Sequence, residues 1–542
     1  MSNTFTKWLL NIKIIETPLS PQTERTGILF LLLLVLILRI PTFHEAFERD
    51  LMTYMVIADG LLHGRSLYAD LYEFRPPAVF WTYALFAKVF GVNPLAIFMM
   101  GLTCAWLTLW GCYVAGRHMA GAFGGLLAAT IWTVMSGDLL LQANQPNTEA
   151  FINTSLACAF ALLMTATPNR KQIGRFIAIG LLYFLASLFK QISLAVTATV
   201  LATYIVLAPW AVDTPAEKPD GNPWTIRVEA LKQVAWAVLV IILGWALIIG
   251  YFQWQGHFSA FKGAVVDTAH GYAGDIGGNV WAFLNNPLLY YTRTGGSAFY
   301  VPLIWLLTVL AAGYFWRDHD WRLGLWLAYF GGSLIAIALP GKFFPHYFQL
   351  WLPPLAIAGG CLLGRAWLMK RNLVMGLLLA ALLPFLGLRL LQYTIPIEQV
   401  PFYKYGLGHG PEAVESKRIG LWIAQHVDPK VVVYHWGGEP GIYFWAGRSA
   451  PSQIGLGIPG LFVVPLDSDS LTESNKALLE KLKKLHPGLI IANKLLLPKD
   501  NLIVQWMVEN YVILSPNPPL EPPIERYLLL VPKSQEQSLN QP

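Results

Sequence analysis

The stretch 47–91 carries Glu48, Arg49, Asp50, Asp59, Asp70, Glu73 and Arg75 among apolar residues at helical spacing. It directly follows a first apolar run, yet it is too polar to cross a bilayer, so short amphipathic turns lying along a membrane surface are expected here. Such turns hold carboxylates at headgroup depth, which suits a substrate with a polar head and a lipid tail. Asp50 stands nine residues past the first apolar run. A carboxylate partly desolvated at a membrane surface can act as a general base. Alone it would read as a solvated loop acid. Its company argues otherwise: Arg75-Pro76-Pro77 in the same loop, Glu149 at the next outside boundary, and Lys190 and Lys342 at later ones.

Lys190 interrupts two apolar spans, where an ammonium is costly unless it snorkels to the headgroups or meets an anion. In PGKFFPHYFQLWLPP, residues 340–354, Pro340, Pro345 and Pro353-Pro354 break helices at defined depths. Lys342, His346 and Tyr347 there present donors suited to a phosphate, the alternative being an aromatic belt with a capping histidine. No second His or Cys stands at ligand spacing from His346, and no acidic metal triad is apparent. No metal site is assigned, and participation of a divalent metal is left open. His435 and Glu439 read as core and turn residues. Gly277-Gly278 and Gly295-Gly296 read as loop hinges, since neither fits a phosphate-cradling glycine pattern.

The elements that must position these residues follow from composition. Of 542 residues, 55% are hydrophobic and 13% charged. Soluble domains carry about 25% charged residues, so this is a polytopic membrane protein. The 21 Trp and 22 Tyr suit many membrane–water boundaries. A net charge of +6 needs no nucleic acid to explain it. Cys104, Cys112, Cys158 and Cys361 lie in apolar runs and read as buried thiols. Eleven spans are expected, near 26–41, 94–116, 120–136, 149–167, 173–189, 191–210, 230–251, 298–316, 322–340, 345–366 and 373–392. With residues 1–25 as a cytoplasmic tail, basic loops fall inside: Arg117-His118, Asn169-Arg170-Lys171, Glu217-Lys218 with Arg227, Arg317 to Arg322, and Lys370-Arg371. The acid-rich first loop (42–93) and everything after 394 then fall outside. VVVYHW (431–436), LIIAN (489–493) and YLLLVP (527–532) read as strands, with helices over 412–426, 471–485 and 501–509 between them. This makes 394–532 a small extracytoplasmic α/β domain. The tail 533–542 reads as disordered.

The order of these features resembles a known family. Its marks here are Asp50 four residues before Tyr54, the A-x-G-L-L-x-G-x-x-x-Y segment from Ala58 to Tyr68, and Arg75-Pro76-Pro77 with Phe80-Trp81. Asn147-Thr148-Glu149 before a span, Leu188-Phe189-Lys190-Gln191 at a span end, and His346-Tyr347 ahead of Pro353 complete the set. The sequence over about 25–400 is similar to GT-C fold membrane glycosyltransferases of the protein O-mannosyltransferase and aminoarabinose transferase type, glycosyltransferase family 39. The resemblance implies a GT-C transmembrane domain over 26–393, of about 11 transmembrane helices, whose first outside loop is catalytic. It implies a polyprenyl-phosphate-linked sugar donor and a lipid, glycan or protein hydroxyl as acceptor, at the outer face; the absence of a KDEL-type tail and of cysteine-rich loops favours a bacterial plasma (inner) membrane. Asp50 matches the catalytic acid, and Glu149 a second outside acid that positions substrate or assists it. Arg75, Lys190, Lys342 and His346 are assigned to the donor phosphate, and Tyr54, Tyr347 and Glu73 to substrate binding. Where the family frequently has an Asp-Glu pair, Leu51 follows Asp50, and Glu48 is the close acid that remains. A lone base favours direct displacement with inversion. A flippase or transporter of lipid-linked glycans is the rival reading. It calls for polar residues near mid-span on several helices, whereas the charges here cluster at outer boundaries.

Overall fold

The computed structural model describes residues 19–168, 172–211, 222–285, 300–394, 410–451, 468–497, 501–516, 519–520 and 523–535. Most of the expected tails at 1–25 and 533–542, the basic loops 169–171 and 217–218, and Gly295-Gly296 lie outside these residues. From the N-terminus the principal helices are α1 (Pro21–Arg39), α2 (Arg49–Leu62), α3 (Ala78–Phe90) and α4 (Pro94–Met135). Then come α5 (Thr148–Met164), α6 (Ile173–Phe189), α7 (Leu194–Leu207) and α8 (Pro223–Trp254). After short helical turns over 258–285 follow α9 (Val301–Asp318), α10 (Trp321–Ala338), α11 (Leu352–Leu368) and α12 (Asn372–Leu391). The C-terminal segment adds α13 (Gly410–His426), β1 (Val433–Trp436), α14 (Gly441–Ala446), α15 (Ser468–Leu485) and β2 (Leu489–Asn493). It ends with α16 (Leu502–Asn510), β3 (Tyr511–Ile513) and β4 (Tyr527–Pro532).

The chain is a polytopic helical membrane protein. Among the described residues, seven helical stretches are both long and apolar enough to cross a bilayer, and Ala78–Phe90, Thr148–Met164 and Ile173–Phe189 are shorter apolar helices. The expected spans at 94–116 and 120–136 are the two halves of α4, which is interrupted at Ala120 and Gly121, where Gly121 takes φ 72°, and folds back so that Trp132 Nε1 donates to the Ala105 carbonyl at 2.9 Å. That left-handed backbone is one a side chain would oppose.

Two compact units divide the chain, one made of 1–41, 101–248 and 275–395, the other of 42–100, 249–274 and 396–542. In the first unit, helix starts are written locally. Ser20 caps α1 ahead of Pro21, Asn147 caps α5, and Asp320 caps α10, each side chain accepting a backbone N–H within its first turn. The 136–147 connection between α4 and α5 is buried, so its polar groups need partners. Arg39 donates to the carbonyls of Ser136, Ala143 and Asn144, while Asp138 receives Arg389 at 2.8 Å and the Tyr300 hydroxyl. This polar lattice fixes the loop that delivers α5.

In the second unit the four strands run β1-β2-β4-β3, with β1 parallel to β2 and the other pairs antiparallel. Strand alternation sorts the core. Val433, Leu489, Ile491, Leu529 and Val531 face a cluster with Ile419, Ile423 and Ile442, while Tyr434, Ile490 and Ala492 pack against Leu482, Ile503 and Met507. Val56 of α2 belongs to the first cluster. The expected C-terminal strands and helices are all found, and β3 is an addition: three residues are too short to show a period-2 pattern.

Candidate active site

Two groups of ionic side chains bring together most of the residues singled out in the sequence, one in each unit. In the second unit the group is built on the first turn of α2. Glu48 is the N-cap, its carboxyl accepting the Asp50 N–H at 2.8 Å. Asp50 therefore leaves the helix at a fixed angle. Arg75 donates to Asp50 at 2.6 Å and to Glu73 at 2.9 Å, a fork that only a guanidinium presents. Its plane lies 5.1 Å from the ring of Tyr54, one turn along from Asp50, and 5.2 Å from that of Phe74. Tyr54 is in turn held edge-on by Phe80 and Tyr83 of α3. The Asp50 side chain keeps 16% exposure, enough for a substrate hydroxyl to reach it.

Arg75 is placed from behind. Tyr68 adopts φ 67°, unusual for an aromatic residue, and its hydroxyl donates to the Arg75 carbonyl at 2.7 Å. Its ring packs against Phe252 and Phe261. Pro76 restricts Arg75 to extended backbone, and Pro77 caps α3. Tyr68 ended a sequence motif without receiving a role, and only its backbone conformation and partners give it one.

Burial acts on the acids of this loop, which lies outside the membrane-spanning helices. Glu48 is pushed up to about 8 by burial and by the neighbouring Asp50 charge, against the pull of Arg49 and Arg75. Glu73 is also raised by burial, with Arg75 opposing.

In the first unit the group forms where α6 stops. Lys190 takes an extended conformation after Phe189, so its side chain leaves the helix axis instead of continuing the apolar face. Its ammonium donates to Glu149 at 2.9 Å and lies 3.8 Å from the centre of the Tyr347 ring. Glu149, in the first turn of α5 and fully buried, receives Thr148 on its other oxygen at 2.9 Å. His346 sits edge-on to Tyr347 at 4.8 Å and within electrostatic reach of Glu149. Asn153, one turn beyond Glu149, donates to the Gln349 carbonyl, tying the 345–351 turn to α5. Lys342 lies just upstream and is exposed, next to the buried Phe343. Asn153 and Gln349 are contributions the sequence reading did not single out: nothing in their local spacing signals a bond across 196 positions. Among the described residues, no group of three or more His, Cys, Asp and Glu could hold a metal ion.

The chain covers 95% of its length on ArnT from Cupriavidus metallidurans bound to undecaprenyl phosphate, at 13% identity, a TM-score of 0.59 and 98% coverage of that chain. The apo state of the same protein gives 15% identity and a TM-score of 0.57, with the same coverages. The fold is that of the GT-C membrane glycosyltransferases. The Archaeoglobus fulgidus oligosaccharyltransferase tethered with an acceptor peptide is similar at 12% identity and a TM-score of 0.51, over 88% of this chain and 69% of that one. Residues 74–218 match the family described as dolichyl-phosphate-mannose-protein mannosyltransferase, a stretch that begins beside Arg75 and includes Glu149 and Lys190. No curated protein matches the chain by sequence.

Proposed function

We propose that this GT-C fold protein transfers a sugar from a polyprenyl-phosphate donor to a hydroxyl of a lipid, glycan or protein, with inversion, at the outer face of a plasma (inner) membrane. The observation that carries the reading is the Asp50–Arg75 pair at the start of α2, a carboxylate oriented by a guanidinium and still open to solvent. ArnT has been seen with undecaprenyl phosphate, and the matched family is described by a dolichyl-phosphate sugar, which supports a lipid-phosphate donor.

Asp50 accepts the proton of the acceptor hydroxyl as that oxygen bonds to the anomeric carbon. The bond from that carbon to the donor phosphate breaks, and its electron pair leaves with the phosphate. Arg75, engaged by two carboxylates, first orients Asp50 and then shares the donor phosphate. Lys190, Lys342 and His346 take up the charge that develops on the leaving group. Both oxygens of Glu149 are engaged, so its role is to hold Lys190 in place more than to assist the base. Tyr54 and Glu73 bind substrate beside Asp50, and Tyr347 binds it beside Lys190. The N-terminus is cytoplasmic and the 394–532 segment extracytoplasmic.

The test is release of free polyprenyl phosphate by purified protein in lipid, given polyprenyl-phosphate sugar and an extract of outer-face glycolipids and glycoproteins. Folded Asp50→Asn is expected to lose about 10²–10⁴-fold in rate, the range for removing a general base. Wild-type rates in Asp50→Asn would remove Asp50 from the chemistry. No release by the wild type, with lipid-linked sugar crossing the bilayer instead, would replace transfer by flipping.

A further inference from the structure

Glu439 reads from the sequence as a turn residue, and it does sit in the turn between β1 and α14. It is nonetheless only 3% exposed, and it comes from the C-terminal segment of the chain. The charged groups within its reach are Arg49, Glu48, Glu412 and Asp50, three of them on the first turn of α2. The turn itself is held at its backbone. The Glu439 N–H donates to Nε2 of His435 at 3.1 Å, and His435 Nδ1 is bonded to the Ile491 carbonyl at 2.9 Å. Burial holds His435 down to about 4, so the imidazole stays neutral, with Nδ1 donating and Nε2 accepting.

The surrounding packing brings the turn to α2 independently of charge. A Cβ added to Gly441 would meet Cγ of Met52 at 3.2 Å, so α14 and α2 approach with nothing between them. Phe47 stacks on Trp445 of α14 at 5.6 Å, Arg65 donates to the Ala450 carbonyl at 2.7 Å, and Ser449 bonds Asp59 at 2.7 Å. The helix that presents Asp50 is thus seated on the α/β fold along its length. Burial raises Glu439 well above the ordinary carboxyl range.

We propose that Glu439 is a positioning residue of the transfer site: buried in the turn that leads into α14, it fills the seat on which the first turn of α2, and with it Asp50, is held. The inference rests on the transferase reading and assigns the C-terminal α/β fold a part in it. Glu439 acts by the space its side chain fills, which glutamine reproduces and alanine does not.

The experiment measures kcat and donor KM for polyprenyl-phosphate sugar with full-length wild type, Glu439→Gln, Glu439→Ala, Glu439→Asp, Asp50→Asn and Val504→Ala, each with a thermal unfolding curve. Val504 packs on the opposite side of the sheet and reports loss of domain stability alone. Glu439→Ala is expected to lower kcat about tenfold or more with donor KM unchanged, as a small misplacement of a base does. Glu439→Gln restores it, and Val504→Ala lowers Tm while keeping kcat. Wild-type kcat in Glu439→Ala beside an inactive Asp50→Asn overturns the positioning role and leaves the transferase reading intact. Equal loss of kcat in Glu439→Ala and Val504→Ala at matched Tm also overturns it. If Glu439→Ala does not fold, Glu439→Asp decides: the carboxyl retracted by one methylene lowers kcat, and an unchanged kcat defeats the proposal. A wild type that transfers nothing removes the transferase reading, and this inference with it.

Discussion

A carboxyl at a helix N-cap ordinarily works as an anion, because the first-turn N–H groups and the helix dipole favour charge there. Glu48 has that position and accepts the Asp50 N–H, yet burial and the adjacent Asp50 push it up to about 8. A raised carboxyl pKa means that the folded protein holds a proton which the unfolded chain releases near the ordinary value of about 4.3. Stability is therefore expected to fall as pH climbs from there towards 8, the reverse of the usual carboxylate trend. Above 8, Glu48 ionises beside Asp50 and competes for Arg49 and Arg75. Transfer by the wild type is expected to decline as pH passes about 8, and Glu48→Gln should abolish that limb and lessen the loss of Tm between pH 5 and 8, the rest of which belongs to Glu73 and Glu439. An identical limb in Glu48→Gln would assign it to another group. The grouping of Asp50, Tyr54, Glu73 and Arg75 was legible in the sequence because helix spacing and the Pro-Pro stop constrain it locally. The parts played by Tyr68 and Glu439 were not, since each depends on where a distant segment folds back.

Helix α11 carries Gly360 and Gly364 four residues apart, facing Gly124 and Ala128 of α4. In a membrane, where apolar surface gives little drive to associate, such small residues let backbones approach and gain dispersion contact. A Cβ on Gly360 would fall 2.2 Å from the Ala128 nitrogen, which is backbone and cannot swing aside. Gly360→Ala is therefore expected to destabilise by about 1–3 kcal/mol through overpacking. Gly376 of α12 has nothing within 4 Å of the added carbon, so Gly376→Ala should instead be neutral or stabilising by up to about 1 kcal/mol. Thermal unfolding in detergent distinguishes them, and equal shifts for the two variants would mean that the α4–α11 approach is not tight. The spans themselves were legible from apolar run length. The reversal inside α4 was legible too, because Arg117-His118 marks a basic loop between two apolar runs, whereas the pairing of helices through glycine has no signature in hydropathy.

At the scale of the whole chain, residues 42–100 and 396–542 fall in one compact unit. Segments of one compact unit outside the spanning helices lie on one side of a bilayer, so the crossings between them must be even in number. The expected spans after the first loop satisfy this. The proposed sidedness turns on one crossing, because α12 alone stands between the basic pair Lys370-Arg371 and the C-terminal fold, and the 372–394 stretch is long and apolar enough to cross once. Lys370 and Leu495 are both exposed, whereas Cys104, Cys112 and Cys361 are buried. In a background with all four native cysteines replaced, Leu495→Cys is expected to react with a membrane-impermeant maleimide on intact cells. Lys370→Cys should react only after permeabilisation. Labelling of both from outside would mean that α12 does not cross. The reverse pattern would put the C-terminal fold in the cytoplasm and Lys370-Arg371 on the outer face, against the positive-inside rule.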